Sequence, residues 1–505
     1  FSNADQINFP RWNEDLRNAN FDWWDLATQS GVTQEYNVSL SGGSEKINSY
    51  FSMGYYDEEG AVKGYDLQRY NFRYRTSYKP FSWLTIKPSV AGAMRNTHDA
   101  QYSVTAMYSM FPWDSPYDEN GNLVPDRYSG WVNSQSTNYL NDLSYGNHTD
   151  YKTYEFSGNF DFDIRITDWL TFNSVNNFRW TGYYYNSYSD PRCEGASGVN
   201  GRLSEYQSNT VRRYTNQILR FNKMWGKHSL NALLAYEFND YQGKAISATG
   251  TGFVPGFEVL DVTAIPEDVG GSLSEWAMQS YLFKAIYSYD NRYFVDGSFR
   301  ADGSSLFGGN NRFAPFLSAG IGWNIHHEDF MANQNFVSDM KLRGSVGESG
   351  SQNFSSYQAL STYAYYTNQR YGVWNGAYLM GHGNPNLKWQ KVFQWNVGLD
   401  LSFLDGRVSA ALDVYNKHTR DLLSRRDLQA STGFTSYTEN IGEMGNSGVE
   451  GMLNVYLIRN LEKRLVWSVT GKIAYNKNVI LKLSEALKED TRKALAEDIE
   501  LGTLL

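Results

Sequence analysis

Apolar and polar residues alternate along the chain over residues 154–166. Phe160 belongs to the apolar set, and its neighbour Asp161 belongs to the polar set. Because successive side chains of a strand point to opposite faces, this stretch has one apolar face and one hydrated face. A tight turn over residues 167–169 and a weaker alternation over residues 170–180 predict the second strand of a hairpin.

The length of the first strand bears on its surroundings. Strands of soluble proteins are usually about 5 or 6 residues long, whereas a tilted membrane strand needs about 9 to 11. The alternation over residues 154–166 is long enough to cross a bilayer, with the apolar face toward lipid and the polar face toward a lumen. It also fits a long hairpin in a soluble sandwich, because alternation alone does not identify what the apolar face contacts.

The order of short and long connections decides between these two interpretations. We count about sixteen strands in the sequence, and short and long connections alternate between them. The short connections lie near residues 168, 226, 291, 405 and 460, and the long ones are predicted over residues 96–150, 182–209, 242–275, 350–387 and 419–447. Outer-membrane barrels have short turns on one side and long loops on the other, a pattern that Greek-key sandwiches do not require. The sequence therefore predicts an all-β fold, a transmembrane antiparallel up-and-down β-barrel.

Three segments follow from this pattern. Residues 33–480 are predicted to hold the barrel strands with their long extracellular loops. Residues 1–32 are interpreted as an extracellular loop segment with a short helix, and residues 481–505 as a charged, helix-prone extracellular segment. Because no closing strand follows, we expect a truncated barrel.

Composition narrows the class further. Mean hydropathy is −0.55, and no apolar run is long enough for a transmembrane helix, which needs about 20 residues. The 38 tyrosines and 15 tryptophans suit both membrane-interface girdles and sugar-binding loops. A net charge of −9 argues against a nucleic-acid partner. The single cysteine, Cys193, excludes an internal disulfide and a cysteine-based zinc site.

Six blocks of sequence stand in a recognisable order: residues 39–46 (SLSGGSEK), 54–60 (GYYDEEG), 300–308 (RADGSSLFG), 341–347 (KLRGSVG), 384–389 (NPNLKW) and 440–450 (NIGEMGNSGVE). They resemble the barrel of the SusC/RagA-like TonB-dependent outer-membrane transporters of Bacteroidetes. The resemblance implies a 22-stranded barrel filled by an N-terminal plug. On that basis about sixteen of a probable 22 strands are present, and the plug domain is not in this chain.

The resemblance also implies partners. A SusD-like lipoprotein acts as a lid, TonB acts through the plug, and the barrel is embedded in outer-membrane lipid. The substrate is a glycan or a peptide, and a dimer of transporter–lid pairs is one expected assembly. No cofactor and no catalytic residue is expected.

Aromatic residues on the long loops are the candidate substrate-binding side chains. Flat rings stack on the apolar faces of sugars, while amide side chains reach the hydroxyl groups. The alternative for each ring is that it packs loops together or contacts the lid. The candidates are Trp113, Trp131, Tyr139, Tyr363, Tyr365, Tyr366, Tyr371, Trp374 and Tyr378.

Other clusters are interpreted as structural. His326-His327-Glu328 lacks the spacing of a helical zinc motif, and Gly347-Glu348-Ser349-Gly350 lacks the spacing of a nucleophile elbow. The block around Asp302 is interpreted as a turn at a strand end. Asp161 and Asp163 face the lumen, where they contact plug or water. Lys391, a charge on an apolar phase, is placed near the long-loop end of its strand.

We therefore expect TonB-dependent import of oligosaccharides across the outer membrane. Import of oligopeptides by the same fold is the first alternative, and sequence does not separate the two. A passive porin is the second alternative, and an outer-membrane protease or lipase is the third. No Ser/His/Asp set stands out in the sequence to favour an enzyme.

Overall fold

The computed structural model describes residues 20–101, 104–108, 110–133, 136–309, 311–352, 357–460, 462–482 and 492. Most of the segments predicted for residues 1–32 and 481–505 therefore lie outside the described residues. Within the described part, no helix has both the length and the apolar character that crossing a bilayer would demand.

Sixteen strands of the described part form one antiparallel sheet in which the neighbours follow chain order, apart from two inserted hairpins. They are β1 (Thr33–Gly43), β2 (Ile47–Glu59), β3 (Asp66–Phe81), β4 (Leu84–Asp99), β5 (His148–Arg165), β6 (Leu170–Ser189), β7 (Arg202–Trp225), β8 (His228–Thr251), β9 (Ile265–Tyr289), β10 (Tyr293–Ser304), β11 (Phe313–Asn324), β12 (Val337–Ser351), β15 (Gln390–Phe403), β16 (Val408–Arg420), β19 (Glu443–Asn460) and β20 (Leu465–Lys482). The predicted up-and-down order and strand number are confirmed.

Shorter elements lie in the connections. Two hairpins pair β13 (Thr362–Tyr371) with β14 (Trp374–Gly381), and β17 (Leu423–Asp427) with β18 (Ser436–Asn440). The α-helices are α1 (Trp23–Ala27), α2 (Val104–Tyr108), α3 (Tyr139–Ser144) and α4 (Glu194–Ser197). Single 3-10 turns are formed by Leu260–Val262, Ile325–His327, Asp329–Met331 and Ala430–Thr432.

The chain divides into two compact units. Unit 1 comprises Phe1–Phe162, Asn176–Arg213 and Tyr241–Glu275. Unit 2 comprises Asp163–Val175, Tyr214–Asp240 and Trp276–Leu505. Each unit has its own small buried clusters, centred on Trp23 in unit 1 and on Trp389 in unit 2.

The apolar face of the strands is exposed. Val38 and Leu40 on β1 are 62% and 65% exposed, and Phe160 on β5 is 55% exposed. In a soluble sandwich these side chains would be enclosed between two sheets. Their exposure is instead what a membrane barrel shows before lipid is added, because hydrocarbon covers this face.

Two of the long connections, over residues 182–209 and 242–275, were predicted to be too long. Residues 182–189 and 202–209 belong to β6 and β7, and residues 242–251 and 265–275 belong to β8 and β9. The prediction was wrong because apolar and polar residues do not alternate regularly in these strand extensions, although the strands continue through them. The remaining long connections carry structure of their own, including the two inserted hairpins.

Candidate ligand-binding surface

The β13–β14 hairpin carries six of the nine predicted substrate-binding aromatics. Its strands pair Tyr363 with Leu379 and Tyr365 with Ala377, and Tyr371 pairs with Trp374 across the turn. Gly372 adopts φ of +63° in that turn, a conformation that favours glycine. The hairpin thus brings together side chains that are separated by up to 15 positions in the sequence.

These rings are largely exposed. Tyr371 is 89% exposed, Trp374 is 74% exposed, and Tyr363 and Tyr365 are each about two-thirds exposed. Tyr366 and Tyr378 form a cross-strand pair with ring centroids 4.7 Å apart. Large exposed aromatic patches mark interaction surfaces, and the hairpin presents such a patch.

The other three predicted aromatics lie in the folded connection between β4 and β5. Trp131 is only 2% exposed, its ring meets Trp23 edge-on at 5.9 Å, and its Nε1–H donates to the Ser115 carbonyl at 2.7 Å. Tyr139 packs partly buried against the same cluster, and Trp113 lies 5.2 Å from Phe111. Trp131 is enclosed by this packing, which is the structural alternative considered for each aromatic above.

Asp114 anchors this connection. Its carboxylate is buried and accepts hydrogen bonds from the Val132 and Asn133 amides at 2.7 and 3.0 Å. Its backbone carbonyl accepts the Trp23 Nε1–H at 2.9 Å. Burial raises the pKa of Asp114, and the two amide donors counteract that rise.

Asp126 and Asp142 meet where this connection touches helix α4. Asp126 accepts the Glu194 amide at 3.1 Å and the Asn138 amide, and Arg127 pairs with the Glu194 carboxylate at 2.5 Å. Burial, together with the adjoining Asp126 carboxylate, raises the pKa of Asp142 to about 8. Asp142 is therefore a neutral, proton-donating acid at neutral pH.

The raised pKa of Asp142 predicts a pH dependence for this connection. Asp142 keeps its proton in the folded chain up to about pH 8, whereas the unfolded chain releases it near the ordinary pKa of an aspartate, 3.8. The stability of the connection should therefore fall as pH rises from about 4 to 8. Hydrogen-exchange protection of residues 110–147, corrected for intrinsic rates, should decrease over that range. Asp142→Asn should flatten the profile.

Glu119→Gln is the matched control for that substitution. Glu119 is an exposed carboxylate in the same connection, so its replacement should leave the pH profile of the wild type unchanged. Protection that rises with pH in the wild type would contradict the assignment of the proton to Asp142.

The clusters interpreted as structural have partners within the fold. Glu328 accepts hydrogen bonds from Tyr293 and Trp323, at 2.6 and 2.9 Å, and His326 lies 3.2 Å from Asp339. Among the residues that the structure describes, no group of three or more His, Cys, Asp or Glu side chains could hold a metal ion.

Asp302 lies at the end of β10, as the sequence predicts. It accepts the Arg300 Nε–H at 2.6 Å, and Arg300 also donates to the Ser280 hydroxyl at 3.0 Å. Lys391 lies at the start of β15, 3.9 Å from the Glu348 carboxylate. Asp161 accepts the Asn176 amide at 2.9 Å. The side chain of Asp163 accepts from that of Asn173 at 2.7 Å.

The described geometry defines an outer-membrane β-barrel protein: long antiparallel strands in up-and-down order, with an exposed apolar face. The family described as TonB dependent receptor-like, beta-barrel matches residues 91–496, and the chain belongs to that family. Proteins of this family lie in the outer membrane.

Individual relatives agree with the family. The chain is 27% identical to TonB-dependent receptor P3 of Formosa agariphila, covering 92% of this chain and 48% of that protein. It is 26% identical to TonB-dependent receptor SusC of Bacteroides thetaiotaomicron, covering 97% of this chain and 51% of SusC. The solved RagAB peptide transporter superimposes with a TM-score of 0.78 at 26% identity, covering 93% of this chain and 53% of that one. The chain spans about half the length of the curated relatives that it matches.

Proposed function

We propose that the chain is the barrel portion of a TonB-dependent importer of oligosaccharides that works with a SusD-like lipoprotein lid. TonB would act through a plug domain outside these residues. The observation that supports an oligosaccharide substrate is the β13–β14 hairpin, whose tyrosines and tryptophan are exposed on paired strands. Such rings stack on sugar faces and lose little conformational entropy when they bind, since each has only two side-chain torsions.

Import of oligopeptides by the same fold is the second candidate. It is supported by the similarity to the RagAB peptide transporter. The same hairpin suits a peptide, because a strand edge pairs with an extended backbone and aromatic rings contact its side chains. A passive porin is less well supported, since the family is that of TonB-dependent receptors.

Growth of a deletion strain distinguishes these candidates. A strain that lacks the whole gene should lose growth on one class of oligosaccharide and keep growth on peptides and on the monosaccharide. Loss of growth on peptides alone would replace the glycan proposal by the peptide one. Unchanged growth on every source would contradict import altogether.

Removal of the exposed rings tests the role of the hairpin directly. Each stacked ring contributes about 0.5–1.5 kcal/mol beyond its buried area. The triple variant Tyr363→Ala, Tyr365→Ala and Trp374→Ala should therefore weaken oligosaccharide binding by the full-length transporter about tenfold or more. Binding is measured by calorimetry on the purified protein with its lid lipoprotein.

Leu360→Ala is the matched control for the triple variant. Leu360 is 60% exposed and lies next to the hairpin, but it has no ring. We expect its replacement to leave binding unchanged. Equal affinity of the triple variant and the wild type for the oligosaccharide would contradict a role of the hairpin in binding.

A further inference from the structure

Two concavities of unit 1 share Tyr154. The first is an apolar groove of about 670 Å³ on the membrane-facing side of the sheet, lined by Val38, Phe72, Phe156 and Trp180 among others. The second is a more polar pocket of about 870 Å³, at the ends of β5 to β9 nearest the long connections. Tyr154 lines both, so the groove and the pocket adjoin at this side chain.

The shared tyrosine lies at the expected height of a membrane interface. The apolar alternation on β5 runs from position 154 to position 166. At about 3.3 Å per residue and a tilt of about 45°, that length spans roughly 28 Å, close to the apolar band of a membrane barrel. Tyr36, Tyr55 and Tyr70 form a row of neighbouring rings beside the groove, as an aromatic girdle does. The pocket therefore lies at the level of lipid headgroups.

The charged residues that line the pocket fall into two sets. His148 lies 3.5 Å from Glu258 and 3.9 Å from Asp150, and His98 lies 2.7 Å from Asp150, so each of these two carboxylates has an imidazole partner. Lys152 on β5 and Glu205 on β7 are exposed and form no ion pair within the described part of the chain. The two strands that carry them are separated by two interstrand spacings, roughly 10 Å. Besides the carboxylates that have imidazole partners, the pocket thus offers one cation, Lys152, and one anion, Glu205, on opposite sides.

We propose that this pocket binds the headgroup of a zwitterionic phospholipid whose acyl chains lie in the adjoining groove. Lys152 would pair with the phosphate and Glu205 with the primary amine. The two concavities adjoin at Tyr154, so one lipid can place its headgroup in the pocket and its acyl chains in the groove, and the two opposite charges match a headgroup that carries both signs. This site is distinct from the substrate-binding hairpin and does not depend on the proposed import.

The charge pattern disfavours purely anionic lipids. A headgroup with phosphate and no amine would satisfy Lys152 but would leave Glu205 unpaired beside a like charge. An exposed ion pair contributes about 0.2–1 kcal/mol. The expected preference for the zwitterionic lipid is therefore about threefold rather than absolute.

Native mass spectrometry of the full-length protein tests this assignment. The protein is released from micelles that contain equal amounts of dioleoyl phosphatidylethanolamine and dioleoyl phosphatidylglycerol. The wild type should retain phosphatidylethanolamine about threefold over phosphatidylglycerol, as one exposed ion pair provides. Glu205→Gln should abolish that preference by weakening phosphatidylethanolamine alone, and Lys152→Met should weaken both lipids.

Lys244→Met is the matched control, because Lys244 is exposed on β8 two positions from the lining residue Ile246 but does not line the pocket. Lys244→Met should retain phosphatidylethanolamine over phosphatidylglycerol in the same ratio as the wild type. Equal retention of the two lipids by the wild type would overturn the proposal, as would an unchanged ratio in Glu205→Gln. A third arm with lipid A would overturn it if lipid A displaced phosphatidylethanolamine at equal concentration.

Discussion

Replacing Trp389 by alanine should lower the free energy of unfolding of unit 2 by about 3–5 kcal/mol, the usual loss for a buried tryptophan. Trp389 is 4% exposed, stacks on Phe307 with ring centroids 4.6 Å apart, and meets Phe316 edge-on at 5.8 Å. Its Nε1–H donates to the Arg312 carbonyl at 3.2 Å. Removing the ring leaves a cavity and removes one of the two hydrogen bonds that the Arg312 carbonyl accepts, the other coming from the Ser304 amide. The loss should appear in urea titrations in detergent micelles followed by Trp fluorescence.

Trp374→Ala is the matched control, because Trp374 belongs to the same unit but is 74% exposed. Its removal should change the free energy of unfolding by less than about 0.5 kcal/mol. Equal losses from the two substitutions would mean that the cluster around Trp389 does not stabilise unit 2.

Arg343→Met should produce the second large loss, about 2 kcal/mol, because it leaves two carboxylates facing each other. Arg343 on β12 donates to Asp400 at 3.0 Å and to Asp413 at 2.7 Å. A Cβ at Gly398 would collide with the guanidinium group, so glycine is required there for the arginine to lie across β15. The loss is smaller than that for a fully buried pair, because Arg343 and Asp400 are partly exposed.

Arg420→Met provides the comparison for the arginine. Arg420 lies at the end of β16, and its guanidinium group lies 3.6 Å from the Glu348 carboxylate. Replacing Arg420 should lower the free energy of unfolding by less than about 1 kcal/mol. The double variant Arg343→Met with Asp413→Asn should recover part of the stability, because it removes one of the two carboxylates that lost their arginine partner. A double variant less stable than Arg343→Met alone would contradict charge repulsion as the cause.

Strand pairing was predictable where the two faces of the sheet meet different surroundings. On β5 the apolar phase faces outward and the polar phase lies opposite, so alternation marked the strand from Tyr154 onward. The same strand begins at His148, and its first residues carry no such signal. Both faces of the sheet are hydrated there. A strand with two hydrated faces lacks the alternation of apolar and polar residues that distinguishes a strand from a loop.

Tertiary packing of the long connections was not predictable. The cluster around Trp23 gathers Met107, Val124 and Trp131 from segments that are far apart in sequence and have no common period. Trp389 precedes β15 and packs in the cluster with Phe307. Sequence spacing placed these aromatics on loops but could not tell a packing ring from an exposed one.

Part of the proposed headgroup pocket is recognisable in the sequence of β5. His148, Asp150 and Lys152 occupy the same phase of β5 as the lipid-facing residues, just beyond the apolar band. Charges on a membrane-facing phase are costly at the midplane but are tolerated at the rim. Three polar residues in succession on this phase therefore indicate a hydrated outer surface above the lipid. The sequence does not identify the other strands that line the pocket.

Spin-label scanning of β5 tests most directly whether the apolar face of this sheet meets hydrocarbon. Single cysteines at positions 155 to 162, in a Cys193→Ala background, are labelled in the full-length protein in liposomes. Collision with oxygen should peak at positions 156, 158, 160 and 162, and collision with a polar nickel chelate should peak at the intervening positions. Low collision with both reagents at the even positions would contradict the account, because a dry core between two packed sheets gives that result.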